Sequence, residues 1–144
     1  MRHRFVLPLV LLSALFVAAG GFIHLREWFE TYRDLPAQVP GREVVVVGFP
    51  INVATSVLAV VALGVAYLRF RRFLLWVVGA VAAFQVGSLA FLILSRTGSV
   101  LGWTEPEWTT AASQARAVEI AALVALAATA GLVLRRRATG ADVS

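Results

Sequence analysis

Four stretches of the chain are almost unbroken apolar residues, at about 5–25, 47–68, 73–94 and 114–134. Each is close to the roughly 20 residues that an α-helix needs to cross a hydrocarbon layer of about 30 Å at 1.5 Å per residue. The first is entered through Arg2, His3 and Arg4. The second stops at Arg69-Phe70-Arg71-Arg72, and the third is followed by Ser95-Arg96-Thr97-Gly98. The fourth begins between Ala111 and Ala117 and ends against Arg135-Arg136-Arg137. The pattern predicts an all-α, integral membrane four-helix bundle, one transmembrane domain over residues 1–144. The short turn at Arg69–Arg72 makes the second and third spans antiparallel neighbours.

The two longer connections, 26–46 and 95–113, have a different character. His24-Leu-Arg-Glu-Trp-Phe-Glu-Thr-Tyr-Arg-Asp-Leu-Pro36 mixes charges and aromatics at helical spacing. It reads as the first helix continuing past the apolar layer or bending along its surface, until Pro36 and Pro40-Gly41 break it. Val44–Val47 reads as the start of the second span. The other connection sets Trp103 and Trp108 around Glu105 and Glu107, a composition suited to the headgroup level.

Charge orients the bundle. Thirteen Arg and no Lys cluster at Arg2/Arg4, Arg69/Arg71/Arg72 and Arg135–Arg137, whereas the acidic residues concentrate in the two longer connections. By the positive-inside rule both termini and the Arg69–Arg72 turn are cytoplasmic, and 26–46 and 95–113 lie outside. The chain belongs in a cell's inner (cytoplasmic) membrane. Arg without Lys, beside abundant Ala, Val and Gly, suggests a GC-rich bacterial genome. An N-terminal reading as a secretory signal, cleaved after Val17-Ala18-Ala19, is the alternative; it leaves three spans with the same orientation.

Composition removes several functions. The basic residues flank apolar spans instead of forming a stripe, so anionic lipid headgroups are the expected partner and nucleic acid is not. With no Cys there is no disulfide, thiolate metal site or Cys nucleophile. No metal site is expected, because His24 has only Glu27 or Glu119 to converge with. No catalytic residue emerges either: no Ser stands in a recognisable nucleophile elbow beside His24 and Asp34.

The polar residues inside the spans carry what functional signal there is, since such groups are costly in a membrane. Counted inward from the arginine boundaries, Asn52 and Glu119 fall roughly 6 Å below the outer surface. Gln85 falls near the middle, and His24, Arg96 and Arg116 at the outer boundary. The inner half is apolar apart from Ser13 and the Tyr67 hydroxyl. The expectation is an outward-opening pocket floored by Gln85, walled by Asn52 and Glu119, and rimmed by His24, Glu27, Arg96 and Arg116. The competing expectation is purely structural: Arg116 pairs with Glu119 three residues on, and Asn52 and Gln85 bridge helices. Gly79, Ala83 and Gly87 on the third span, and Ala117, Ala121 and Ala125 on the fourth, form small-residue strips. They are expected to face other helices of the bundle, or alternatively a second copy.

At Ala18-Ala-Gly-Gly-Phe-Ile-His24 the first span resembles the small four-helix bacterial membrane proteins of the DoxX-like type, without that group's usual Arg and Lys positions. The resemblance implies a four-helix bundle, sometimes associated with respiratory or redox membrane complexes, and carries over no functional residue. Three function classes remain open. The favoured one is a non-enzymatic protein binding a small amphipathic ligand or lipid. The others are an accessory subunit of a larger membrane complex, and a membrane redox enzyme; no cofactor is specified by any of them.

Overall fold

The computed structural model describes residues 6–139. The Arg2–Arg4 cluster, Phe5 and residues 140–144 lie outside that range. The described chain is helical, in four segments each long and apolar enough to cross a membrane. Helix α1 runs Val6–Glu27 and passes directly into a π-helical segment, Trp28–Tyr32; α2 is Arg42–Leu68, α3 is Leu74–Thr97 and α4 is Thr110–Ala138. A single 3-10 turn, Arg71–Phe73, joins α2 to α3. The helices form a ring in chain order: α1 packs on α2 and α4, α3 packs on α4, and the α2–α3 contact is the lightest of the four. One end of the ring (the turn end) carries Arg69–Arg72 and Arg135–Arg137. The other (the loop end) carries both long connections.

Local chemistry explains the element ends. Thr109 caps α4 by accepting the Ala112 N–H on its side chain at 3.1 Å. The first helix continues through His24 and the aromatic segment as expected, but with widened turns; the Arg33 N–H reaches the Trp28 carbonyl at 2.9 Å, five residues back. Residues 44–47 are helical and lie within α2, which starts at Arg42 after Gly41. Gly41 adopts φ +70°, a left-handed conformation that favours glycine. A Cβ there would come within 2.2 Å of the Trp103 backbone nitrogen. That close approach docks the α3–α4 connection onto the start of α2 and buries Trp103.

The turn-end half has an apolar core. Val17, Leu63 and Leu126 are wholly buried and pack with Val10, Val78 and Ala122. Within it Thr129 adds a buried hydroxyl to the Ser13 and Tyr67 expected of this half. Ser13 and Thr129 spend their hydroxyls on their own helices, at Leu9 and Ala125 carbonyls, and face each other at 3.5 Å. The outer surface is apolar as well: Phe22, Leu58, Trp76 and Val124 are all exposed.

The small-residue strips behave differently from the expectation. Gly79, Ala83 and Gly87 lie on the exposed back of α3, and a Cβ at either glycine would meet nothing within 4 Å. The bundle-facing side of α3 is instead Leu74, Val78, Val81, Gln85, Leu92 and Ser95. On α4, Ala125 is buried but Ala117 is exposed; the inward stripe is Ala115, Glu119, Ala122, Leu126 and Thr129. The close helix approach falls at Gly21, where a Cβ would sit 2.7 Å from Ser56 Cβ. A period of four drifts across a 3.6-residue helix, so spacing alone does not say which face a strip occupies.

Candidate ligand site

Glu119 is the most buried charged side chain of the bundle, 1 % exposed. Its partners come from α1 and α3, and through one of them it is linked to α2. Ser88 on α3 donates its hydroxyl to Glu119 Oε1 at 2.5 Å, and His24 Nε2 on α1 lies 3.2 Å from the same oxygen. Asn52 on α2 donates from Nδ2 to Ser88 Oγ at 2.9 Å, and the Ser56 hydroxyl reaches Asn52 Oδ1 at 3.4 Å. One polar cluster therefore ties all four helices together near the loop end. The close contact at Gly21 lets α1 approach α2 beside Ser56, within the same layer.

A second polar cluster lies nearer the loop end. The Arg96 side chain is 6 % exposed and pairs from Nη2 with Glu105 Oε2 at 3.2 Å. Glu105 also accepts the Tyr32 hydroxyl at 2.6 Å, and its N–H donates to the Ser95 carbonyl at 2.8 Å. Arg96 Nη1 donates to Ser95 Oγ at 2.9 Å. Tyr32, Phe49 and Trp103 stack around this group, with ring centroids 4.7 and 5.8 Å from Tyr32.

Between the two clusters is a cavity of about 160 Å³. Its walls are mostly α2 (Val45, Gly48, Phe49, Asn52) and α3 (Ser88, Phe91, Leu92, Arg96). His24 closes one side, Trp103 and Glu105 close the loop side, and no residue of α4 reaches it. The cavity is thus set toward the α2–α3 seam, where the helices touch least. Gly48 leaves its share of the wall open, since a Cβ there would meet nothing within 4 Å.

Two buried side-chain atoms among the described residues have no hydrogen-bond partner, Arg96 Nε and Glu119 Oε2. Both belong to this region: Arg96 lines the cavity, and Glu119 sits behind His24 and Ser88, which do. Unsatisfied buried groups are rare and call for an explanation. Their concentration around one cavity is the feature that separates it from ordinary packing.

The seven residues singled out from the sequence divide as follows. His24, Asn52 and Glu119 meet through Ser88, and Arg96 lines the same cavity. Gln85 is buried on α3 one turn before Ser88, outside the cavity wall. Glu27 pairs with the adjacent Arg26 at 3.4 Å. Arg116 is not paired with Glu119; it is exposed and lies over the Trp108 ring at 4.6 Å. Ser88, Glu105, Tyr32 and the aromatic wall were not among them. Among the described residues no three His, Cys, Asp or Glu side chains come together as a metal site. No protein-family model, curated protein or solved structure matches the chain.

Proposed function

We propose that the chain is an integral membrane protein of the cell's inner membrane, and that it holds a small amphipathic molecule or lipid in the α2–α3 cavity. Four long apolar helices with an apolar exterior support insertion. The arginine clusters support an orientation with both termini and the α2–α3 turn cytoplasmic. The observation that carries the ligand reading is the cavity lined by Arg96 and backed by Glu119, whose Nε and Oε2 are the two buried side-chain atoms without partners among the described residues.

The site opens toward one leaflet only. Val17, Leu63 and Leu126 fill the ring below the Glu119 cluster, with the Ser13–Thr129 pair embedded among them. Among the described residues no polar chain connects the two ends, which favours retention or presentation of a ligand over conduction. Native mass spectrometry of the gently solubilised protein tests this. A defined extra mass is expected on wild type and absent from Gly48→Leu, whose side chain fills the cavity; protein of bare mass in both contradicts the reading.

A second reading, an accessory subunit of a larger membrane complex, rests on the outward Gly79/Ala83/Gly87 strip. It is also what the resemblance to DoxX-like proteins would imply. Recovery of the protein as a lone monomer from mild detergent would count against it.

A further inference from the structure

We infer that the occupant of the α2–α3 cavity is an uncharged amphipathic molecule whose head is a single ring bearing a hydrogen-bond-accepting oxygen, bound by Arg96 Nε. This rests on the ligand reading above and narrows it to a chemical class.

Three features select that class. The first is the orphan donor. The Arg96 side chain is only 6 % exposed, Nη1 and Nη2 are engaged, and Nε alone is without a partner. An N–H in that state calls for an acceptor oxygen. The second is charge. Arg96 already faces Glu105 at 3.2 Å, and Glu119 lies one residue behind the wall through Ser88 and His24. A carboxylate or phosphate entering here would meet two acidic side chains and one arginine that is already paired, so a neutral oxygen is preferred. The third is shape. Phe49, Phe91 and Trp103 wall a space of about 160 Å³, comparable to the apolar cavity of about 150 Å³ that accommodates one benzene ring. Flat rings offer such a wall the offset and edge contacts that aromatic side chains favour.

Access follows from the same geometry. With α4 absent from the wall and α2–α3 the loosest seam, an apolar tail leaves between α2 and α3 while the ring stays inside.

Three probes with one tail test the class: para-hexylacetophenone, its hydrocarbon isostere 1-hexyl-4-isopropylbenzene, and the anionic para-hexylbenzoate. Each is titrated calorimetrically into the protein in lipid nanodiscs, with empty nanodiscs as the partition blank. The ketone is expected to bind about tenfold or more tighter than the other two, the range for a hydrogen bond from a charged donor. Arg96→Lys keeps the charge opposite Glu105 but removes Nε–H, and should erase the ketone's advantage while leaving the hydrocarbon unchanged. Gly48→Leu should abolish saturable binding of all three. Equal affinity for ketone and hydrocarbon, a ketone advantage that survives Arg96→Lys, or a preference for the benzoate overturns the proposed class. Loss of those probes to Gly48→Leu would still leave the cavity a ligand site. Saturable binding of none of them overturns both readings together.

Discussion

Trp28 donates its indole N–H to the carbonyl of Val46 at 2.9 Å, and Val46 lies four residues before Pro50, the proline inside α2. Proline has no N–H to give that carbonyl, and its ring crowds it. The π-helical segment after α1 thus satisfies the acceptor that α2 cannot satisfy for itself, beside Gly48 and Phe49 of the cavity wall. Trp28→Phe should lower stability by about 1–2 kcal/mol, the cost of leaving a partly buried carbonyl unpaired. In a Pro50→Ala background, where residue 50 supplies an N–H, the same change should cost less than half as much. Thermal unfolding of the four proteins of this double-mutant cycle gives the coupling directly; additive effects would mean the two residues act independently.

Gly21 and Gly48 are both helix-interior glycines but should respond oppositely to alanine. A methyl group at Gly21 meets Ser56 Cβ at 2.7 Å, so Gly21→Ala should destabilise by roughly 1–3 kcal/mol despite its better helix propensity. Ser56→Gly in the same chain should recover most of that loss. Gly48→Ala meets open space and should be neutral or stabilising by up to about 1 kcal/mol. Detergent melting curves decide both; a Gly21→Ala protein as stable as wild type would remove the close α1–α2 approach from the account.

Arg96 and Arg116 both sit near the loop end, yet their environments separate them. Both guanidinium groups lie over the Trp108 ring, at 5.8 and 4.6 Å, but Arg96 is buried against Glu105 whereas Arg116 is exposed. Arg96→Ala strands a largely buried carboxylate and should cost about 3 kcal/mol or more. Arg116→Ala removes an exposed cation–π contact, worth about 0.5–1 kcal/mol. Comparable losses at the two sites would contradict the pairing described.

The proposed orientation is tested by labelling, since a chain without Cys is a clean background for single cysteines. Leu101→Cys, 85 % exposed in the α3–α4 connection, should react with a membrane-impermeant maleimide in intact cells. Ala138→Cys, beside Arg135–Arg137, should react only after permeabilisation. The reverse pattern would invert the topology.

How much of this was legible beforehand depends on the distance over which each residue acts. The four helices follow from apolar runs and their arginine ends, which are local signals. His24, Asn52 and Glu119 could be gathered by depth alone, because helices of known rise convert sequence distance into height. Ser88 could not: a lone hydroxyl in an apolar helix ordinarily bonds its own backbone, as Ser13, Thr55 and Thr129 do here. The Arg96–Glu105–Tyr32 group depends on how an irregular connection folds back, through Gly41 and its contact with Trp103, and no periodicity records that. Depth made Gln85 the expected floor of the pocket, whereas the cavity lies nearer the loop end and toward the α2–α3 seam, with Gln85 buried outside its wall. The small-residue strips mark where close approach is permitted, and only the packing shows that Gly21 uses it while Gly79 and Gly87 leave it open.

The most direct test of the ligand site is photolabelling with a diazirine-bearing alkyl aryl ketone in native membranes, followed by peptide mapping. Saturable labelling is expected only in the segments holding Phe49, Phe91 and Trp103, competed by unlabelled ketone and lost in Gly48→Leu. Labelling spread over the exposed Leu58 and Trp76 surfaces, without competition and unchanged by Gly48→Leu, would show the molecule to be merely solvated by the probe and would contradict the site.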